Sequence, residues 1–117
     1  MYFVMKRVVM VLLMAVALSA AAQEQVNLGL IPTPQKVELN KKGKSAGQHP
    51  RLTEVEVKTL PVGANEDQSY QLIIEPGKIT LRYVAQEGRD YGNLTLIQLE
   101  DIYGDSIPCC TITDWPA

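Results

Sequence analysis

The sequence predicts an α+β fold, a small and mostly antiparallel β-sheet with one helix packed on it, preceded by a signal peptide. Three observations carry this expectation. Residues 69–84, "SYQLIIEPGKITLRYV", are two alternating runs around a Pro-Gly pair. Residues 85–105 carry the start and stop signals of a helix, and residues 106–113, "SIPCCTIT", read as a closing strand. With two further strand-like segments upstream, the order is β, β, β-hairpin, α, β, which suits one helix lying across a small sheet.

The N-terminus reads as a secretory leader. Lys6 and Arg7 precede an uncharged apolar run, and Ala20 and Ala22 stand in an A-x-A arrangement. These are the three regions of a signal peptide, with cleavage expected after Ala22. The apolar run is shorter than the ~20 residues a stable span needs, so no membrane span is expected after cleavage. No cysteine adjoins the site, which argues against a lipid anchor. A secreted or periplasmic product follows.

In the segment after the leader, Pro32 and Pro34 force extended backbone, and a strand follows with Val37 and Leu39 on one face. Residues 40–50, "NKKGKSAGQHP", are a loop without apolar pattern. In "RLTEVEVKTL", 51–60, Leu52, Val55 and Val57 sit between charged residues, the mark of a half-exposed strand. Residues 61–68 form another loop. In the hairpin, Tyr70, Leu72 and Ile74 share one face, as do Ile79, Leu81 and Tyr83. Pro76 fixes φ at the first turn position and Gly77 allows positive φ at the next.

Residues 90–100 are ambiguous by pattern alone. "LTLIQL" (94–99) is apolar enough for a buried strand. Asp90 as N-cap and Gly104-Asp105 as a stop favour a helix, while Gly92 and Thr95 weigh against one. In the closing strand, Ile107, Cys109 and Thr111 alternate with Cys110 and Ile112.

The residues assemble no chemistry. The formal net charge is −2, and the leader holds two of the basic residues, so no basic face for nucleic acid is expected. Cys109 and Cys110 are the only cysteines. Neighbours close no useful loop and a bond between them is strained, so both read as small buried apolar residues. His49 is the single histidine and lies in a polar loop. It offers neither a metal ligand set nor a nucleophile's partner, so no metal and no cofactor is expected. The carboxylates that an acid–base pair would need are Glu87, Asp90, Glu100, Asp101, Asp105 and Asp114. Each stands in a polar loop or near a helix end, where solvated charge or capping is the ordinary role. Asn93 begins an Asn-x-Thr sequon that reads as incidental. No catalytic residue is expected in this chain.

Four stretches, in order, resemble a known family: "LIPTPQKVEL" (30–39), "YQLIIEPGKITLRY" (70–83), "RDYGNLTLIQLE" (89–100) and "IPCCTITDWPA" (107–117). Together they are similar to the N-terminal accessory domain of glycoside hydrolase family 20, the β-N-acetylhexosaminidases. The family's helix motif is matched by Tyr91, Gly92, Thr95, Leu96, Gln98 and Leu99. The segment by which the family enters its catalytic barrel is matched by Ile112, Asp114 and Pro116. The resemblance implies a helix over residues 90–100.

The resemblance implies residues 1–22 as leader, 23–112 as a trimmed zincin-like accessory domain, and 113–117 as the start of a (β/α)₈ barrel, the chain being truncated before it. It implies the family's retaining, substrate-assisted hydrolysis of terminal N-acetylhexosamine. That chemistry belongs to an Asp-Glu pair in the barrel, which no position here matches, so the piece is expected to be inactive. The barrel of the same polypeptide is the implied partner, and glycan is met only through it. The resemblance also implies an apolar side on the helix without enough partners in this chain. One departure stands out. The family has another helix between the first strand and the hairpin, whereas residues 40–69 show loops and one strand. The competing expectation is a free-standing secreted module binding carbohydrate or protein, with Tyr70, Tyr83, Tyr91 and Trp115 as the candidate sugar platform. Alternation places Tyr70 and Tyr83 in the core instead.

Overall fold

The computed structural model describes residues 27–41 and 43–116. The expected leader, 1–22, lies outside them. Among the described residues five strands and one long helix occur, in the order β1 (Lys36–Leu39), β2 (Arg51–Glu56), β3 (Tyr70–Glu75), β4 (Lys78–Tyr83), α1 (Gln86–Tyr103) and β5 (Cys110–Asp114). Single 3₁₀ turns span Glu66–Gln68 and Gly104–Ser106. The strands form one sheet in the order β1-β5-β3-β4-β2. Three of its pairings are antiparallel, and β2 lies parallel to β4 at the far edge. The predicted fold class is what the structure has, with a mixed sheet.

The hairpin forms as its sequence dictates. Glu75 pairs with Lys78 across a two-residue turn, and Gly77 has φ 74°, which costs a residue without Cβ little. Strict alternation makes the sheet one-sided. Tyr70, Leu72 and Ile74 of β3, Ile79 and Leu81 of β4, and Cys110 and Ile112 of β5 are all buried. On the opposite face Arg82 donates to Gln71 Oε1 at 2.7 Å and Gln71 donates to Thr113 Oγ1 at 3.0 Å. A partly buried polar ladder therefore crosses β4, β3 and β5 on the side of the sheet away from the core.

Helix α1 covers the apolar face over β3 and β4. It is longer than the expected 90–100. Its N-cap is Ala85 and not Asp90. Asp90 lies within the helix, where its Oδ1 accepts from Gln86 Nε2 at 2.9 Å, an i,i+4 bond on the exposed side. The C-terminal signal is placed as predicted: Gly104 has φ 58° and its N–H reaches Glu100 O.

Gly92 and Thr95, which argue against a helix by propensity, are the residues that fasten it. A Cβ on Gly88 would collide with the Ser69 carbonyl, and one on Gly92 with Leu81 Cδ1 and, at 3.3 Å, the Tyr70 ring. One turn apart, these glycines let the backbone of α1 press onto the sheet. Thr95 Oγ1 shares a 2.6 Å hydrogen bond with Tyr70 Oη inside the core. Burial pushes the Tyr70 phenol well above its ordinary value. The bond to Thr95 opposes that shift, and the Asp114 carboxylate adds to it.

The edges behave differently from the centre. Val37 packs against the core, but Leu39, expected beside it, is exposed, because α1 sits over the other half of the sheet. Leu52 and Val55 of β2 are exposed too, as a half-exposed edge strand requires. Glu54 on that edge forms an ion pair with Arg89 of α1.

Candidate functional site

The extended segment ahead of β1 lies along the C-terminal half of α1. Leu28 and Leu30 insert into the core, and Tyr103 donates its hydroxyl to Leu28 O at 3.0 Å. Between them and the prolines, Gln98 grips the backbone of Ile31 from both sides. Its Oε1 accepts from Ile31 N–H at 3.0 Å and its Nε2 donates to Ile31 O at 3.1 Å. The side-chain amide thus acts as one rung of a β-ladder. The grip turns the Ile31 side chain outward, where it is 81% exposed.

The same corner holds the last residues of the chain that the structure describes. Asp114 Oδ1 accepts from Gln35 N–H at 2.9 Å, and Gln35 Nε2 donates to Trp115 O at 3.3 Å. Asn65 Nδ2 donates to Pro116 O at 3.0 Å, and the Trp115 ring lies over Gly63. Two segments, the one ahead of β1 and the loop between β2 and β3, therefore fix the direction of residues 114–116.

Between the Ile31 segment, α1 and residues 114–116 lies a groove of about 560 Å³. Its walls include Ile31, Pro32, Tyr91, Leu94, Trp115 and Pro116. Of the six carboxylates considered for acid–base work, only Asp114 lines it. Glu87, Asp90, Glu100, Asp101 and Asp105 are exposed, and Asp105 accepts a long bond from Gln48. Asp114 uses its carboxylate on the Gln35 amide and, at 3.4 Å, on Tyr70 Oη, which is a tether between strand and loop. A two-carboxylate mechanism needs a second group facing it across the cleft, and none of the groove's other lining residues is an acid or a histidine. His49 is exposed, with φ 53°, in the 40–50 loop.

The four candidate platform aromatics are not brought together as a flat surface. Tyr70 is buried and Tyr83 packs against the core, while Tyr91 and Trp115 both reach the groove. Asn93 sits within α1 and bonds the Arg89 carbonyl. Cys109 and Cys110 are buried and free. Burial pushes the Cys110 thiol up to about 11 and raises that of Cys109 as well, so neither is poised as a nucleophile. Among the described residues no three His, Cys, Asp or Glu side chains gather as a metal site, and no helix is long and apolar enough to cross a membrane.

What remains is apolar surface. Leu94 is 56% and Ile97 53% exposed, and Tyr91 and Ile102 are also exposed. At helical spacing these residues form an apolar band along the outer side of α1 that also carries the exposed acids Asp90 and Asp101, and Tyr91 and Leu94 line the groove beside Ile31. Sequence reasoning anticipated the band but not the Gln98 clamp. Gln98 and Ile31 are 67 positions apart, and no local pattern connects them.

A two-layer α+β domain whose helix is closed on one side and apolar on the other is the class that this geometry defines. The pattern described as glycosyl hydrolase family 20, domain 2, matches residues 39–115, and the chain belongs to that family. A β-hexosaminidase of Akkermansia muciniphila is 35% identical over 101 residues, which cover 84% of this chain and 19% of that protein. The crystal structure of a β-N-acetylhexosaminidase superposes with a TM-score of 0.59 at 35% identity, over 73% of this chain and 17% of that one. A family 20 β-N-acetylglucosaminidase gives a TM-score of 0.52 at 21% identity, over 73% of this chain and 20% of that one. A Flavobacterium johnsoniae chitobiase gives 0.51 at 18%, over 74% of this chain and 20% of that one. The last two likenesses speak for the fold alone. The chain spans about a fifth of the length of these relatives.

Proposed function

We propose that this chain supplies the non-catalytic accessory domain of a β-N-acetylhexosaminidase, an enzyme that removes terminal N-acetylhexosamine from glycans. In this reading residues 1–22 are a secretory leader, 23–112 the accessory domain and 113–117 the approach to a catalytic (β/α)₈ barrel. The enzyme works in the periplasm or outside the cell. The domain contributes no catalytic group, and it acts by packing the outer side of α1 against the barrel. Glycan is bound and cleaved on the barrel side.

The observation that carries the reading is the apolar band on α1. An isolated soluble domain gains nothing from exposing Tyr91, Leu94, Ile97 and Ile102 on one helix, and exposed apolar side chains grouped in this way support an interaction surface. The family match and the 35% identical hexosaminidase relative supply the nature of the enzyme. The test is an assay of the purified 117-residue chain on a chromogenic N-acetyl-β-D-glucosaminide, beside a polypeptide in which the domain is followed by a family 20 barrel. The chain alone is expected to show no turnover above buffer, and the joined polypeptide to be active. Turnover by the chain alone would overturn the assignment.

A further inference from the structure

We infer that the outer face of the sheet, over β2 and β4, binds an acidic glycan: Arg82 holds one carboxylate, and Arg51 and Lys78 meet another further along the same polymer. The basic strip is defined by this chain's own residues. The choice of a glycan as carrier of the carboxylates rests on the accessory-domain reading.

Register places the side chains. Arg51, Thr53 and Val55 of β2 stand opposite Lys78, Thr80 and Arg82 of β4. Ile79 and Leu81, which alternate with the latter, are buried in the core, so these six residues share the face away from α1. Glu54 and Glu56 of β2 stand opposite Leu81 and Tyr83 and belong to the other side. On β2, β3 and β4 the outer face therefore carries the cations Arg51, Lys78 and Arg82 against a single acid, Glu75, which lies opposite Lys78.

Arg82 singles out the site. Among the described residues the ion pairs are Lys36 with Glu38 and Arg89 with Glu54. Arg82 is partly buried and has no carboxylate partner. Its hydrogen bond goes to the neutral amide oxygen of Gln71, whose nitrogen is in turn held by Thr113. These bonds fix the guanidinium without neutralising it. No buried side-chain nitrogen or oxygen among the described residues lacks a partner, so the guanidinium nitrogens that Gln71 does not engage are open to solvent. A planar fork held in this way matches a carboxylate through two parallel hydrogen bonds.

The space between the charged ends suits a sugar polymer. Thr111 and Thr113 engage Asn40 and Gln71, whereas the partly exposed Thr53 and Thr80, opposite each other, keep their hydroxyls free for sugar hydroxyls. Lys78 and Arg82 are four strand residues apart, about 13 Å by strand rise. One carboxylate cannot bridge that span, and a chain of repeated acidic sugars can. The helix side exposes Glu87, Asp90, Glu100, Asp101 and Asp105, which repel an anion there and steer it to the sheet face. The sheet face points away from α1, so under the proposed function it stays open when the barrel is joined.

The test is equilibrium binding, at low salt, of hyaluronan oligosaccharides to the 117-residue chain, beside neutral chitin oligosaccharides, dextran sulfate and a DNA duplex. Hyaluronan supplies a carboxylate on every second sugar. It is expected to bind, to be released by added salt, and to bind at least tenfold tighter than the other three. Arg82→Gln should weaken binding by about tenfold, the scale of one charge-assisted contact. Arg51→Gln combined with Lys78→Gln, both exposed and therefore harmless to folding, should do the same. Lys36→Gln removes one charge from the same face, but from a cation already paired with Glu38, and should bind as wild type does. The inference is overturned by no binding, by equal binding of chitin oligosaccharides, dextran sulfate or the duplex, or by an equal loss in Lys36→Gln. Hexosaminidase activity of the joined polypeptide without hyaluronan binding would overturn this inference and keep the accessory-domain reading. Binding by the chain with an inactive joined polypeptide would do the reverse.

Discussion

Gly88 and Gly92 show how two atoms' worth of missing side chain decide a packing. Both cost helix stability, by about 1 kcal/mol each relative to alanine, and both are required because α1 lies on the sheet. At Gly88 the obstacle is the Ser69 backbone carbonyl, which cannot rotate away. Gly88→Ala is therefore expected to destabilise the domain by about 2–3 kcal/mol, as overpacking does. At Gly92 the first obstacle is the end of the Leu81 side chain, so Gly92→Ala should cost less, about 1 kcal/mol. Urea unfolding midpoints of the two variants check the order. Two buried acids give a pH signature at the same scale. Tyr70 and Cys110 both have folded values raised above 10.0 and 9.0, the values ordinary for these groups. Their contribution to stability is complete below pH 9 and declines as pH rises, for Cys110 between 9 and about 11. The melting temperature should fall with pH across that window. Cys110→Ala, which has no thiol to ionise, should show a shallower fall, and an unchanged slope would refute the assignment.

Among the elements, α1 is held by a helix-to-sheet face and by the segment of residues 28–31 laid along it. Gln98→Leu removes both bonds to Ile31 without shortening the helix. Hydrogen exchange at the Ile31 amide should then rise by roughly tenfold, the local opening being easier by about 1 kcal/mol, while the amides of β3 keep their protection. The elements also show what a sequence discloses. The β3-β4 hairpin was legible because alternation and the Pro76-Gly77 turn are local signals that agree. Helix α1 was legible at its end, where Gly104 stops it, and not at its start, because Ala85 caps without a side-chain bond and Asp90 offered a false cap. Its interior was ambiguous because Gly92 and Thr95 are chosen for contact with Leu81 and Tyr70 and not for helix propensity. The parallel pairing of β2 with β4 and the clamp of Gln98 on Ile31 join positions distant in sequence, and periodicity carries no information about either. The groove, built from the segment ahead of β1, α1 and residues 114–116, was not legible in the sequence.

The molecule as a whole is asymmetric in a way that gives it a purpose. One face of the sheet carries a partly buried polar ladder of Arg82, Gln71 and Thr113. The other is covered by α1, and the far side of α1 exposes Tyr91, Leu94, Ile97 and Ile102 between the acids Asp90 and Asp101. Large apolar side chains left outside the helix suit one more layer. Under the proposed function that layer is the catalytic barrel of a family 20 hexosaminidase. Hydroxyl-radical footprinting, comparing the 117-residue chain with the polypeptide joined to its barrel, tests this most directly. The account predicts rapid labelling of Tyr91, Leu94, Ile97 and Ile102 in the chain alone and labelling at least tenfold slower in the joined polypeptide, with Val55 unchanged. Equal labelling of the four in both would contradict it.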